Sequence, residues 1–173
     1  AIAIWHKLFG DEHQLLASSL NNLGLVLASR GKLDEAEKLY RHALAMRRKL
    51  LGDDHPDVAF SLTRLGKLMI TRGEPQEGEG YLKQSLDILK KSLAQNHWRI
   101  AESESILGSC LTSLQRYKEA ESLLLRSYSS LKENYGEKNK RTKEALIRII
   151  DHYEACNKPD IASKYRAMLK NLN

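Results

Sequence analysis

The chain has 173 residues, a net charge of +6, 42% apolar and 29% charged residues. That length allows one domain with a sizeable core, and that balance excludes a disordered chain. No apolar run is long enough to span a bilayer, and the opening AIAIWHKLFGDEH lacks the basic start of a secretion signal.

Ala, Leu, Lys, Glu and Arg dominate and Pro is scarce, so the elements are read as helices. A first, short helix is expected at about 2–9. Pairs then follow near 14–30 and 34–51, 56–72 and 76–93, 98–114 and 118–134, and 140–156 and 160–171. In the first full pair, Leu16, Leu20, Leu23 and Leu27 fall on one helical face, taken as the core stripe. Ser29-Arg30-Gly31-Lys32 breaks that helix. Asp34-Glu35 opens the next with carboxylates at its N-terminus, and Ala36, Leu39, Tyr40, Ala43, Leu44 and Met46 form its apolar face. Gly52 suits a left-handed cap. Pro56, Pro75 and Pro159 suit first helical positions.

A step of 42 residues organises the whole chain. It aligns Gly24, Gly66 and Gly108; Ala36, Gly78, Ala120 and Ala162; Gly31 and Gly73; Leu23, Leu65, Leu107 and Ile149. It also aligns His13, His55 and His97 with Asn139. Glycine inside a helix costs about 1 kcal/mol relative to Ala. Three at one repeat position point to helices packed too closely for a Cβ.

Small residues at these two places, with Tyr40, Leu82 and Leu124 four residues on, resemble the tetratricopeptide repeat. The longer unit resembles the kinesin light chain subtype. The motifs are Asn21-Asn22-Leu23-Gly24, Gly31-Lys32-Leu33-Asp34-Glu35-Ala36-Glu37 and Leu51-Gly52-Asp53-Asp54-His55-Pro56-Asp57-Val58-Ala59. The resemblance implies an all-α, right-handed superhelical solenoid of antiparallel helix pairs. The expected layout is a single array over 1–173, with a remnant second helix at 1–10 and units at 14–52, 56–94, 98–136 and 140–173. Residue 1 maps onto Ala43, so the chain is expected to be cut from a longer protein. The pattern relaxes at Ile150 and Leu169, as it does in a terminal solenoid unit.

No phosphate loop, zinc-protease helix, nucleophile elbow or paired-cysteine motif occurs, so no enzyme activity, catalytic residue, metal or cofactor is expected. The repeated histidines lie one unit apart and cannot converge on one ion; turn contacts are expected of them. Cys110 and Cys156 read as reduced packing residues, which fits a cytoplasmic setting. Arg47-Arg48-Lys49 and residues 138–143 are basic. Aromatics make up only 6% and acids are interspersed, so these read as solvated faces and nucleic acid is disfavoured.

The first-helix face opposite the core is expected to line a concave groove. Unit by unit it reads Ser18, Asn22, Leu25, Ser29; Phe60, Arg64, Lys67, Thr71; Glu102, Ile106, Ser109, Ser113; and Glu144, Arg148, Asp151, Ala155. The candidate partner-binding residues are Asn21, Asn22, Leu25, Phe60, Thr63, Arg64, Lys67, Ile106, Ser109, Arg148 and Asp151. Arg64, Lys67 and Arg148 make a basic strip, with Phe60 or Ile106 as apolar anchor. By the kinesin light chain resemblance, Asn21 and Asn22 would hydrogen-bond to the backbone of an extended peptide. Thr63-Arg64, Ser105-Ile106 and Ile147-Arg148 depart from that pattern, so that family's cargo peptides are not implied. The expected partner is a protein or extended peptide bearing acidic residues, with no membrane. A nucleic-acid-binding repeat, or a spacer that self-associates through its N-terminal edge, are the alternatives.

Overall fold

The computed structural model describes residues 14–172; the helix expected over 2–9 lies outside them. Eight helices occur among the described residues. They are α1 (Gln14–Ser29), α2 (Leu33–Leu51), α3 (Pro56–Arg72), α4 (Pro75–Ser92), α5 (Trp98–Ser113), α6 (Tyr117–Tyr135), α7 (Lys140–Ala155) and α8 (Pro159–Lys170). They pack as consecutive pairs, α1 on α2, α3 on α4, α5 on α6 and α7 on α8. The chain divides into two units, Ala1–Leu93 and Ala94–Asn173. In the first, α2 also packs on α3; in the second, α6 and α5 both pack on α7.

The glycines sit where the helices of a pair come closest. A Cβ on Gly24 would lie 2.7 Å from the Tyr40 ring; on Gly66 it would meet Leu82 Cγ at 2.6 Å, and on Gly108 Leu124 Cγ at 2.6 Å. Gly66 and Gly78 also face each other: a Cβ on either would come within 3.1 Å of the other's carbonyl oxygen. Ala36, Ala120 and Ala162 are fully buried. The repeat of small residues is therefore a repeat of close contacts.

The turns follow the same step. Gly31 and Gly73 have φ of +77° and +86°, and the two residues that continue the series, Gln115 and Asn157, also have positive φ, +59° and +56°. The turn inside every pair thus uses a left-handed residue, whether or not it is glycine. Gly52 departs from the left-handed cap expected of it: φ is +82° and ψ 166°, and Gly136 matches it at +82° and 161°. The chain must leave these helices extended to reach the next one, and glycine alone adopts that region freely. Position 94, where the step would place a third such glycine, is Ala, and α4 ends instead at Leu93 in ordinary extended backbone.

Two of the repeated histidines, with Asn139, cap helices; His13 lies outside the described residues. His55 Nδ1 accepts from the Asp57 amide at 3.1 Å and His97 Nδ1 from the Arg99 amide at 3.1 Å; Asn139 Oδ1 accepts from the Arg141 amide at 2.9 Å. Each occupies an N-cap, which satisfies a helix-start donor that has no partner in the helix. Pro56, Pro75 and Pro159 stand at first helical positions.

The expected core stripe of α1 is corrected in part. Leu16 and Leu20 are buried with Ala17, Asn21 and Gly24, but Leu23 is 38% exposed, although the residues aligned with it, Leu65, Leu107 and Ile149, are buried. Among the described residues α1 packs on α2 and only lightly on α3, so its buried face turns toward α2. Arg47 is also corrected: it is buried, not solvated, and donates to the Asp57 carbonyl oxygen, Ser61 Oγ and Ser18 Oγ at 3.1, 2.9 and 3.2 Å.

Candidate functional site

In the first unit, α1 and α3 leave a cavity of about 210 Å³ between them. Leu25, Ala28 and Ser29 come from α1. Arg64, Lys67, Leu68 and Thr71 come from α3, and Tyr40 of α2 completes the lining. The spacing explains the set: 25, 28 and 29 lie on one face of α1, and 64, 67, 68 and 71 on one face of α3. Carbon atoms make up most of the wall, and among the described residues its charged lining consists of cations.

Tyr40 reaches the cavity because Gly24 has no side chain to block its ring. It is 2% exposed, and its hydroxyl makes no hydrogen bond among the described residues. Burial raises its pKa, and the charge of Arg64 acts against that rise. Arg64 has no carboxylate partner among the described residues; its guanidinium lies 4.7 Å from the Phe60 ring centroid. Arg47 approaches the same ring at 5.5 Å. Such stacking holds a cation in place without neutralising it.

The structure sorts the expected site residues. Leu25, Arg64 and Lys67 share the cavity. Phe60 lies beside it as a platform for Arg64, and Asn22 is exposed on α1. Asn21 and Thr63 are buried and already engaged: Asn21 Nδ2 donates to Ser61 Oγ at 3.1 Å, and Thr63 Oγ1 lies 2.8 Å from Ser85 Oγ.

In the second unit, Ile106 is 2% exposed and packed in the core, Ser109 is half-buried and Asp151 exposed. The Arg148 side chain is only 13% exposed; it donates to Ser105 Oγ at 3.3 Å and pairs with Glu144 at 3.7 Å. Burial lowers its pKa, while Glu144, Glu102 and Asp151 hold its charge. This cation is therefore compensated locally, unlike Arg64. Tyr40, Ala28 and Leu68 escaped the sequence reading of the site. Tyr40 carried the best available signal, a hydroxyl at a repeat position that holds Leu82 and Leu124 in the next two units.

The second unit also holds a buried polar cluster. His152, 1% exposed, places Nδ1 at 2.8 Å from Thr112 Oγ1 and Nε2 at 3.5 Å from Cys156 Sγ. Burial lowers the His152 pKa and raises that of Cys156. Both groups stay neutral near pH 7, so the pair is a packing device and not an activated thiol.

A family model for the tetratricopeptide repeat matches residues 1–49 and 15–91. No curated protein matches the chain. Among solved structures, the nearly identical TPR-like repeats of a kinesin light chain-like protein from Podosopora anserina align with a TM-score of 0.68 at 21% identity. A variant of that protein aligns with a TM-score of 0.71 at 21% identity. Both alignments cover 99% of this chain and 81% of the other. BtubC (BKLC) from P. vanneervenii aligns with a TM-score of 0.77 at 17% identity, over 99% of this chain and 68% of that one. At these identities the likeness is one of fold. Together with the repeated close contacts, caps and turns described above, these matches establish that the chain belongs to the tetratricopeptide repeat family.

Proposed function

We propose that this chain is a protein-interaction module that binds an extended segment of a partner along its first helices, with an acidic residue of that segment seated between α1 and α3. Tetratricopeptide repeat domains typically mediate protein–protein contacts. The observation that carries the reading is the α1–α3 cavity, which presents Arg64 and Lys67 beside apolar carbon and, among the described residues, is lined by no carboxylate. At about 210 Å³ it is smaller than the roughly 300–1,000 Å³ of small-molecule sites, so it suits one side chain of a larger ligand. Leu25, 42% exposed, offers an apolar contact at its rim.

Partner capture from a lysate, with identification by mass spectrometry, supplies the ligand. Reversal of Arg64 and Lys67 to Glu then tests the site: retention of a bound protein by wild type and its loss by the double variant is the expected result. Retention by both places the contact elsewhere.

A further inference from the structure

Among the described residues, the cavity brings a tyrosine hydroxyl and a guanidinium that both lack an acceptor to one apolar-walled space. We propose that Tyr40 is a specificity-determining residue of this cavity, its hydroxyl donating together with Arg64 to a carboxylate borne on an apolar stem. The inference rests on the reading of the cavity as a partner-binding site and adds which group it selects.

Arginine has no acceptor atom, and a tyrosine hydroxyl can donate one hydrogen bond. Tyr40 is 2% exposed, and neither it nor Arg64 has a hydrogen-bond acceptor among the described residues. A donor pair around one space is best met by an anionic oxygen.

The repeats supply a comparison within the chain. The residues at the Tyr40 position in the next two repeats are Leu82 and Leu124, and each packs against the glycine of its own pair as Tyr40 does. Packing therefore requires no hydroxyl at this position; leucine serves. The volume supplies the stem. A carboxylate alone would leave much of the 210 Å³ unfilled, whereas Leu25, Ala28 and Leu68 offer an apolar wall. A carboxylate on a hydrocarbon stem satisfies both halves of the cavity: its carbon covers the leucines and its oxygens reach Tyr40 and Arg64. A purely apolar side chain would leave two donors unmet.

The test uses the full chain and two probes of the same shape, hydrocinnamate and its uncharged amide hydrocinnamamide. Binding is followed by the amide shifts of Ala28, Arg64 and Leu68. The expected result is that hydrocinnamate binds about tenfold more tightly than the amide. Tyr40→Phe, which keeps the ring against Gly24 and removes one oxygen, should cut hydrocinnamate affinity about three- to tenfold and leave the amide unchanged. Arg64→Gln should reduce the same preference, and circular dichroism should be unaltered in both variants. Equal binding of the two probes, or full retention of the preference in Tyr40→Phe, overturns the inference. Partner binding lost on charge reversal but indifferent to Tyr40→Phe removes the role of Tyr40 and leaves the groove reading intact. A probe preference that needs Tyr40, with no partner bound by the cavity, upholds the chemistry and removes the groove reading.

Discussion

At the scale of single residues, two glycines separated by 14 positions are expected to behave in opposite ways. A Cβ on Gly66 would lie 2.6 Å from Leu82 Cγ, the branch point of a buried side chain that cannot swing aside, and 3.1 Å from the Gly78 carbonyl oxygen. Gly66→Ala should therefore destabilise by about 1–3 kcal/mol, the usual cost of overpacking. Gly80 meets nothing within 4 Å, so Gly80→Ala should stabilise by up to about 1 kcal/mol through helix propensity and unfolded-state entropy. Denaturant melts of the two variants check the pair. A second expectation concerns Gln115, held at φ +59° where Gly31 and Gly73 stand in earlier repeats. Relief of left-handed strain outweighs the extra flexibility of glycine, so Gln115→Gly should stabilise by about 0.5 kcal/mol. Asn157→Gly, at φ +56°, should gain less, because asparagine tolerates that region better.

At the scale of elements, helix positions were legible from the sequence to within one or two residues across the described region. The period, the prolines and the small residues all mark boundaries set by local chemistry. The faces were less legible. A wheel that assigns one face to the core assumes one-sided burial, whereas α3 packs on α2 and α4, and α5 packs on α6 and α7. Thr63 and Ile106 lie opposite the main stripe and are buried nonetheless. Tyr40 was hidden for the converse reason: it belongs to the core stripe of α2, yet it also lines the cavity between α1 and α3.

The second unit should also be sensitive to acid. His152 is walled in by Thr112, Cys156, Tyr117 and Tyr153, with Glu121 and Lys158 nearby, and burial holds its pKa below the ordinary histidine range near 6.5. His97, a helix cap, is shifted the same way by burial and by Arg99. A histidine with a lowered folded pKa takes fewer protons than the unfolded chain, so stability falls as pH drops below about 6.5. Protection factors of the α7 amides, which correct exchange for its intrinsic pH dependence, should fall between about pH 7 and 5, and His152→Gln should flatten that dependence. An unchanged profile in the variant would assign the sensitivity to other groups.

For the whole molecule, the repeat establishes the family and leaves the partner to surface chemistry. No helix among the described residues is long and apolar enough to cross a membrane. Charge is distributed unevenly: Arg148 stands among Glu102, Glu144 and Asp151 in its own unit, while Arg64 and Lys67 border a cavity that no acid lines among the described residues. Charge-assisted hydrogen bonds contribute about 1.5–3 kcal/mol where water is excluded and much less where it is not. Two such contacts in a half-enclosed cavity make a tenfold effect a conservative expectation. The most direct measurement is the affinity of the captured partner for wild type and for Arg64→Glu/Lys67→Glu, with circular dichroism recorded in parallel. The account predicts at least a tenfold loss with an unchanged spectrum; equal affinities for the two proteins would contradict it.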